Sequence, residues 1–225
     1  RSLGRPMSPN NRLQAFLPHC RVRLVRSQQE FLAALPQTEI ALVWVFRQEW
    51  FDLAPRLQWV HTPAAGRDYF QVDPPSSIRI SYGSFHGRIM AETVLGMMLG
   101  ACRGILETAW RQEEGAWPRA DLARRMRPLR DSHVALLGFG HIGRWIGRLA
   151  KPLGVRLTGV QRTPASRPDY FAASDNLIAV DRLDEILPET DHLVIVLPSG
   201  AETDRILDRR RIGLLPPRAM VYNLG

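Results

Sequence analysis

Three glycines near the middle of the chain have the spacing of an anion-binding turn. The stretch Val134 to Gly147, VALLGFGHIGRWIG, places Gly138, Gly140 and Gly143 in the pattern G-x-G-x-x-G directly after an apolar run. An anion bound at the start of a helix meets unpaired main-chain N–H groups and the positive end of the helix dipole. Because side chains would obstruct that approach, the glycines predict a cradle for the linked phosphates of a dinucleotide.

Each glycine has its own predicted role. Gly138 forms the tight turn, Gly140 lets the backbone face the pyrophosphate, and Gly143 lets the helix pack on the strand. The predicted contacts also include the residues between them, which are Phe139, His141 and Ile142. The pattern alone also occurs in ordinary turns. Its setting favours a dinucleotide, because a strand precedes it, a helix follows it and a second strand ends near Val160.

The end of that second strand indicates which dinucleotide binds. NAD sites usually place Asp or Glu there to bind the ribose 2′-hydroxyl. Here the position holds Gln161, followed by Arg162 and Thr163. A carboxylate beside a 2′-phosphate would cost on the order of 1–4 kcal/mol at about 4 Å, whereas arginine can bind a phosphate through a bidentate fork. We therefore expect NADP, with NAD as the alternative because arginine is common throughout this chain.

Two series of strands and helices must position these residues. The first contains β-type runs at 21–25, 39–45, 57–62 and 77–82. The second contains runs at 134–138, 155–160, 176–180, 192–198 and 219–225. Strands that alternate with helical segments predict parallel α/β layers. Ser27 followed by Glu30 predicts a capping box that opens a helix in the first series.

A long apolar helix is predicted between the two series. The segment from Ile89 to Leu106 is apolar on nearly every face, so we expect it to be buried. Gly96 and Gly100 predict close packing in a soluble core. The polar stretch that follows, from Glu107 to Asp131, contains Trp110 and Trp117 and is a candidate bridge or subunit contact.

Composition excludes several classes of protein. The net charge is +8, but Lys151 is the single lysine and the arginines are scattered, which argues against a nucleic-acid surface. Cys20 and Cys102 lack metal-binding spacing, so no metal site is expected. The polar N-terminus is unlike a signal peptide, and the most apolar window is about half the length that a bilayer requires. We expect a cytoplasmic protein that binds neither nucleic acid nor membrane.

Further segments point to a known family. They are TPAAGRDYF, MAETVLGMML, EGAW, LLGFGHIGRWIGRLAKPLGVRL, LPETDHLVIVLPSGAETDRIL and VYNLG. In their order and spacing, from about Glu39 to Gly225, they resemble the D-isomer-specific 2-hydroxyacid dehydrogenases. The segments LVW, ending at Trp44, and QRT, at 161–163, look most like the glyoxylate and hydroxypyruvate reductase branch, which commonly uses NADPH.

The resemblance implies a fold and an activity. The expected fold is a Rossmann-type doubly wound parallel sheet plus a smaller flavodoxin-like α/β substrate domain, both incomplete at the C-terminus. Residues 1–88 would form the substrate domain, 89–131 a linking helix and bridge, and 132–225 the dinucleotide-binding domain. The implied activity is hydride transfer between NADP(H) and C2 of a small 2-hydroxy or 2-keto acid such as glyoxylate or hydroxypyruvate. A homodimer is also implied, with the long helix and the bridge as contact candidates.

The resemblance also implies further site residues. The backbone N–H groups around Ala65, Gly66 and Arg67 would hold the substrate carboxylate, and Trp44 and Val45 would line the pocket. Additional cofactor contacts would come from Leu197, Pro198, Ser199, Thr203 and Asn223.

The chain departs from the family at its catalytic residues. Members of the family have an arginine directly after the segment that matches Asn223 to Gly225, then a glutamate and a histidine, which orient the substrate and deliver a proton. This chain stops first, so no catalytic residue is assigned within it and those groups are expected beyond Gly225. Surface or structural roles are expected for His61, His86, His133, His141 and His192.

Two rival interpretations remain. One is a non-catalytic regulatory protein of the same fold that binds NAD(P). The other is a different branch of the family, such as a phosphoglycerate dehydrogenase, which typically keeps the acidic residue that Gln161 replaces.

Overall fold

The computed structural model describes residues 9–66, 70, 72–115, 119–163 and 166–225. The chain divides into two compact units. The first holds the residues up to Thr62 together with Phe70–Ser81, and the second holds Pro63–Tyr69 and Tyr82–Gly225.

The first unit contains a three-stranded sheet in the order β1-β2-β3. Its strands are β1 (Ile40–Leu42), β2 (Trp59–Thr62) and β3 (Arg79–Tyr82), and its helices are α1 (Pro9–Phe16) and α2 (Gln28–Ala34). β1 and β2 are parallel, with Ile40 opposite Trp59. The three strands lie within predicted runs. Helix α2 begins as predicted, since the Ser27 hydroxyl accepts a hydrogen bond from the Glu30 N–H.

The predicted strand at 21–25 is wrong. This segment lies outside both sheets. The N–H of Val22 donates to the side chain of Gln14 at 3.0 Å, and Leu24 is 58% exposed. The segment therefore uses a side chain rather than a neighbouring strand to satisfy that N–H group, and Leu24 is left largely in solvent.

The second unit contains five parallel strands in the order β6-β5-β4-β7-β8. They are β4 (His133–Leu137), β5 (Arg156–Gln161), β6 (Asn176–Ala179), β7 (His192–Ile195) and β8 (Met220–Asn223). Each coincides with a predicted run. Every residue of β4 is buried, with Leu136 in one apolar cluster and Leu137 in another. Since alternate residues of a strand point to opposite faces, both faces of this sheet are covered, as in a doubly wound fold.

Helices flank this sheet. They are α3 (His86–Cys102), α4 (Ile105–Glu113), α5 (Arg119–Arg125), α6 (His141–Ala150), α7 (Leu183–Ile186) and α8 (Arg209–Ile212). Helix α3 packs against α6. The predicted helix at 89–106 is interrupted at Gly104, whose φ of +63° begins a new helical direction.

The prediction that this long helix is buried on all sides is wrong. Helix α3 buries one face, which includes Ala91, Val94 and Met98, whereas Ile89 is 60% exposed and Met97 is 39% exposed. A Cβ atom added to Gly96 or Gly100 would meet no atom of the described chain within 4 Å. The close packing predicted for these glycines is therefore also wrong within the described residues, because α3 is an outer helix with α6 on its inner side.

Among the helices of the described residues, none alone has the length and hydropathy to cross a bilayer. Helices α3 and α4 reach that length and hydropathy only when taken together, and they are bent by 65° relative to each other.

Candidate dinucleotide-binding site

The turn after β4 requires glycine at position 138. Gly138 has a φ of +101°, and a Cβ atom there would lie 2.2 Å from the carbonyl oxygen of Val196. The N–H groups of Gly138 and Phe139 both donate to the Val160 carbonyl, at 3.1 and 2.9 Å. The turn is thus fixed between the end of β5 and the segment after β7.

The residue that follows Gly138 packs into the core. Phe139 is 0% exposed, so only its main chain is near the predicted phosphate position. A Cβ atom on Gly159 of β5 would lie 2.6 Å from the Phe139 ring, and one on Gly147 of α6 would lie 3.3 Å from it. Sequence analysis missed both glycines. The signal was Gly159 itself, because a glycine inside a strand often marks close approach by another group.

The third glycine of the motif brings α6 against the turn. A Cβ atom on Gly143 would lie 2.3 Å from the carbonyl oxygen of Gly138. Close helix packing at this position was the predicted role of the third glycine.

Gly140 lies at the N-terminus of α6 and borders open space. Among the described residues, no atom lies within 4 Å of a Cβ atom added to it, and it lines a cavity. The first N–H groups of a helix have no acceptor within the helix, so the main chain from Gly140 to Ile142 offers donors at the positive end of the helix dipole. The chain here fits a phosphate group, because donors and space occur together.

A cavity of about 630 Å³ lies at the carboxyl ends of β4, β5 and β7. It brings together nine of the predicted cofactor residues, which are Gly138, Phe139, Gly140, Gln161, Arg162, Thr163, Leu197, Pro198 and Thr203. The predicted residues His141, Ile142 and Gly143 lie in α6 and do not line it. The lining residues that sequence analysis did not assign to the site are Leu137, Val160, Val180, Glu202 and Ile206. Ligands of doubly wound sheets bind at this edge, where the strand order reverses.

The end of β5 closes one side of the cavity. The Gln161 side-chain amide donates to the Phe139 carbonyl at 2.7 Å, which ties the strand end to the glycine turn. Arg162 forms an ion pair with Glu202, with 2.5 Å between its guanidinium nitrogen and the carboxylate oxygen. The two side chains are 79% and 72% exposed, so both remain accessible to solvent.

A second cavity, of about 710 Å³, lies beside the segment after β7 and the end of β8. It is lined by the remaining two predicted cofactor residues, Ser199 and Asn223, and it shares Leu197, Pro198, Thr203 and Ile206 with the first cavity. The Thr203 hydroxyl lies 2.7 Å from the Pro198 carbonyl and 3.0 Å from the Gly200 carbonyl, which fixes this loop between the two cavities.

The predicted substrate residues fall in both units. Trp44 and Val45 follow β1 in the first unit and are each 57% exposed. Ala65, which is exposed, and Gly66, which is partly buried, belong to the second unit. Arg67 lies outside the described residues.

Two of the histidines are buried at the amino ends of strands, away from the first cavity. His133 Nε2 lies 2.8 Å from the Thr158 hydroxyl. His192 Nδ1 lies 3.1 Å from the Tyr222 hydroxyl, and burial, followed by the charge of Arg127, lowers the pKa of His192 to about 4. Both have the structural role that was predicted. Over the described residues, no three His, Cys, Asp or Glu side chains are grouped as metal ligands.

These features define a class of protein. A parallel sheet with the order 3-2-1-4-5, counted from β4, has its cavity beside the first strand and a glycine turn leading into a helix. This is a nucleotide-binding fold of the Rossmann type, and its residues fit a dinucleotide.

Comparison with known proteins identifies the family. The model of the "D-isomer specific 2-hydroxyacid dehydrogenase, NAD binding domain" family matches residues 95–225. The chain therefore belongs to the D-isomer specific 2-hydroxyacid dehydrogenase family, as the sequence predicted.

Relatives and solved structures agree. The chain is 24% identical to a glyoxylate reductase of Thermococcus onnurineus, over 96% of this chain and 69% of that protein. It is 28% identical to a glyoxylate/hydroxypyruvate reductase B of Pectobacterium carotovorum, over 79% of this chain and 56% of that protein. A D-isomer specific 2-hydroxyacid dehydrogenase of Xanthobacter autotrophicus, solved with NADPH and MES, is 25% identical with a TM-score of 0.77, over 94% of this chain and 66% of that one. The chain thus spans between about half and two thirds of the length of these relatives.

Proposed function

We propose that this protein is an NADP(H)-dependent oxidoreductase that transfers a hydride between the cofactor and C2 of a small 2-hydroxy or 2-keto acid, such as glyoxylate or hydroxypyruvate. The observation that supports it most directly is the glycine turn at the cavity edge, in a chain of this dehydrogenase family. The named activities of the two reductase relatives suggest the substrate class.

The cavity suggests where each part of the cofactor lies. Its pyrophosphate would bind the main chain of Gly140, which lines the first cavity, and the adjoining N–H groups of His141 and Ile142 at the start of α6. Its adenine would lie between the apolar side chains of Val180 and Ile206. The nicotinamide would lie towards Asn223 in the second cavity. When bound, the cofactor supplies or accepts the hydride.

NADP is proposed over NAD because of the residues at the end of β5. Gln161 donates its amide to the Phe139 carbonyl and places no negative charge at the cavity. Arg162 and Thr163 both line the cavity and can bind a 2′-phosphate.

The substrate residues remain those expected from the resemblance. Trp44 and Val45 would contact the substrate, and the N–H groups around Ala65, Gly66 and Arg67 would hold its carboxylate. The catalytic arginine, glutamate and histidine are expected beyond Gly225.

Replacing Arg162 with alanine tests the cofactor assignment. We expect the dissociation constant of NADPH to rise about tenfold or more, because a charge-assisted contact to the 2′-phosphate is lost. The constant for NADH should change less than about twofold, since NADH lacks that phosphate. Titration of nicotinamide fluorescence measures both values.

Arg156→Ala is the matched control. Arg156 is also paired with a glutamate, Glu189, at 3.1 Å, but it lies at the opposite end of β5. The Arg156→Ala substitution should leave the dissociation constants of NADPH and NADH unchanged. An equal loss of NADPH and NADH affinity in Arg162→Ala would contradict the assignment.

Turnover tests the activity itself. A chain that includes the catalytic groups expected after Gly225 should oxidise NADPH in the presence of glyoxylate or hydroxypyruvate. Cofactor binding without turnover of any 2-keto acid would instead support the regulatory protein.

We further propose a cytoplasmic homodimer. The outer face of α3 presents Ile89 and Met97, with open space around Gly96, and Trp110 of α4 is 68% exposed. Trp117, the other tryptophan suggested as a contact, lies outside the described residues. A second copy that covers this face would remove these apolar groups from water.

Replacing Met97 with glutamate tests the dimer. A charge at the proposed interface should raise the dimer dissociation constant about tenfold or more, as measured by light scattering over a dilution series. Phe16→Glu, at an 81% exposed apolar position of α1, is the control and should leave the constant unchanged. A wild-type chain that is monomeric at high concentration would contradict the proposal.

A further inference from the structure

An acidic residue faces the predicted 2′-phosphate position. Glu202 lies in the loop after β7, and Arg162 follows β5. Both line the first cavity, and their ion pair joins its two sides. Among the described residues that line this cavity, these two are the charged ones.

The backbone that holds Glu202 is well fixed, whereas its carboxylate is accessible. The N–H groups of Thr203 and Asp204 both donate to the Gly200 carbonyl, each at 2.9 Å. The Thr203 hydroxyl is within hydrogen-bond distance of the same carbonyl. The Glu202 side chain is nevertheless 72% exposed. Its carboxylate is therefore presented at the cavity by a constrained loop, without being buried against other groups.

We propose that Glu202 is a specificity-determining residue that weakens binding of the 2′-phosphorylated cofactor by competing for Arg162 and by repelling the phosphate. This inference rests on the proposed function, because it assumes that the cavity binds NADP(H) and NAD(H). Glu202 thereby reduces the preference for NADPH over NADH. That preference arises because position 161 holds a glutamine in place of an acidic residue.

The charges at the site explain the competition. The Glu202 carboxylate is paired with the Arg162 guanidinium. A 2′-phosphate carries close to two negative charges and needs the same donors. When it binds, two anions lie around a single cation, so their mutual repulsion opposes binding.

The two cofactors should respond differently to Glu202. The cofactor without the phosphate has a 2′-hydroxyl instead, which can donate a hydrogen bond to a carboxylate. Glu202 can therefore provide, from the opposite side of the cavity, the contact that an acid at the end of β5 provides in NAD sites. Replacement of Glu202 by a neutral residue should therefore raise the affinity for NADPH and not the affinity for NADH.

The experiment compares Glu202→Gln with the wild-type chain. The dissociation constants of NADPH and NADH, and of adenosine 2′,5′-bisphosphate and AMP as fragments, are measured by calorimetry at low and high salt. Glu202→Gln should tighten NADPH and the bisphosphate about fivefold to twentyfold at low salt, leave NADH and AMP unchanged or weaker by about twofold, and lose most of its effect at high salt.

Two further variants sharpen the result. Glu189→Gln removes an acid of similar exposure that is paired with Arg156 at the other end of β5, and it should leave all four dissociation constants unchanged. In the double variant Arg162→Ala/Glu202→Gln, the gain in NADPH affinity should fall to less than about half of that in Glu202→Gln, because the shared cation is absent.

The outcomes separate this inference from the proposed function. If wild-type NADPH binding depends on Arg162 while Glu202→Gln weakens it or tightens both cofactors equally, the inference is overturned and the function stands. If none of the chains binds either cofactor or either fragment, both are overturned. A selective gain for the phosphorylated ligands supports both.

Discussion

Gly138→Ala is expected to unfold the turn after β4 and to abolish dinucleotide binding. The alanine would have to adopt a φ near +101° with its Cβ atom 2.2 Å from the Val196 carbonyl oxygen. Backbone strain and overpacking together should lower the free energy of unfolding by about 3 kcal/mol or more. Urea denaturation measures this loss, and fluorescence titration with NADPH measures the loss of binding.

Gly140→Ala separates the binding effect from the folding effect. Gly140 has a φ of −83°, and no atom of the part of the chain that the structure describes lies within 4 Å of an added Cβ atom. The free energy of unfolding should therefore change by less than about 1 kcal/mol. NADPH affinity should nevertheless fall about tenfold or more, because the methyl group occupies space where the pyrophosphate approaches the main chain. If Gly140→Ala binds NADPH as tightly as the wild type, the pyrophosphate does not lie at this turn.

The central strands of the second unit, β4, β5 and β7, could be predicted from sequence because most of their residues are buried. The run that becomes β4 is continuously apolar, and every one of its residues is buried. A glycine turn directly after such a run fixes where the strand ends and the helix begins. Few other structures are compatible with an apolar run followed directly by a glycine turn, so the fold class could be predicted from these local signals.

Segments whose environment depends on distant parts of the chain were predicted less well. The alternation at 21–25 resembles a strand, but Val22 bonds to the Gln14 side chain instead. The apolar composition of α3 suggested burial all round, yet Ile89 and Met97 are exposed. Composition shows that a surface is apolar, but it does not show which neighbour covers it.

In the candidate site, too, features set by local sequence could be predicted, whereas contacts between distant segments could not. The roles of Gly138 and the strand-end residues follow from spacing along the chain. Glu202 does not, because it faces Arg162 only after the loop beyond β7 folds back over the cavity. The fit of the Phe139 ring against Gly159 is likewise a contact between separate elements, although a glycine inside a strand gave a hint of it.

Asp175→Ala is also expected to lower the free energy of unfolding strongly, because Asp175 belongs to a buried cluster of ionic and hydrogen-bonded groups. Asp175 accepts hydrogen bonds from the N–H groups of Leu157 and Ala172, at 2.8 and 2.7 Å. It also pairs with Lys151, the single lysine of the chain, at 2.7 Å, and its side chain is 0% exposed. Removal of the carboxylate leaves all three donors without this acceptor. We expect a loss of about 3–5 kcal/mol in the free energy of unfolding, measured by urea denaturation.

Asp169→Ala provides the control for this prediction, because Asp169 is an exposed acid in the same loop and its removal should change stability by less than about 0.5 kcal/mol. The pH dependence gives an independent check. Burial alone would raise the pKa of Asp175, but the hydrogen bonds from Lys151, Leu157 and Ala172 outweigh it and hold the pKa below its usual value.

A carboxyl group with a lowered pKa stabilises the fold above its unfolded pKa of about 4, and this contribution is lost as the pH falls further. The deficit of Asp175→Ala should therefore be largest near neutral pH and should shrink below about pH 4. A deficit that stays constant from pH 7 to pH 3 would show that Asp175 contributes through packing rather than through its charge.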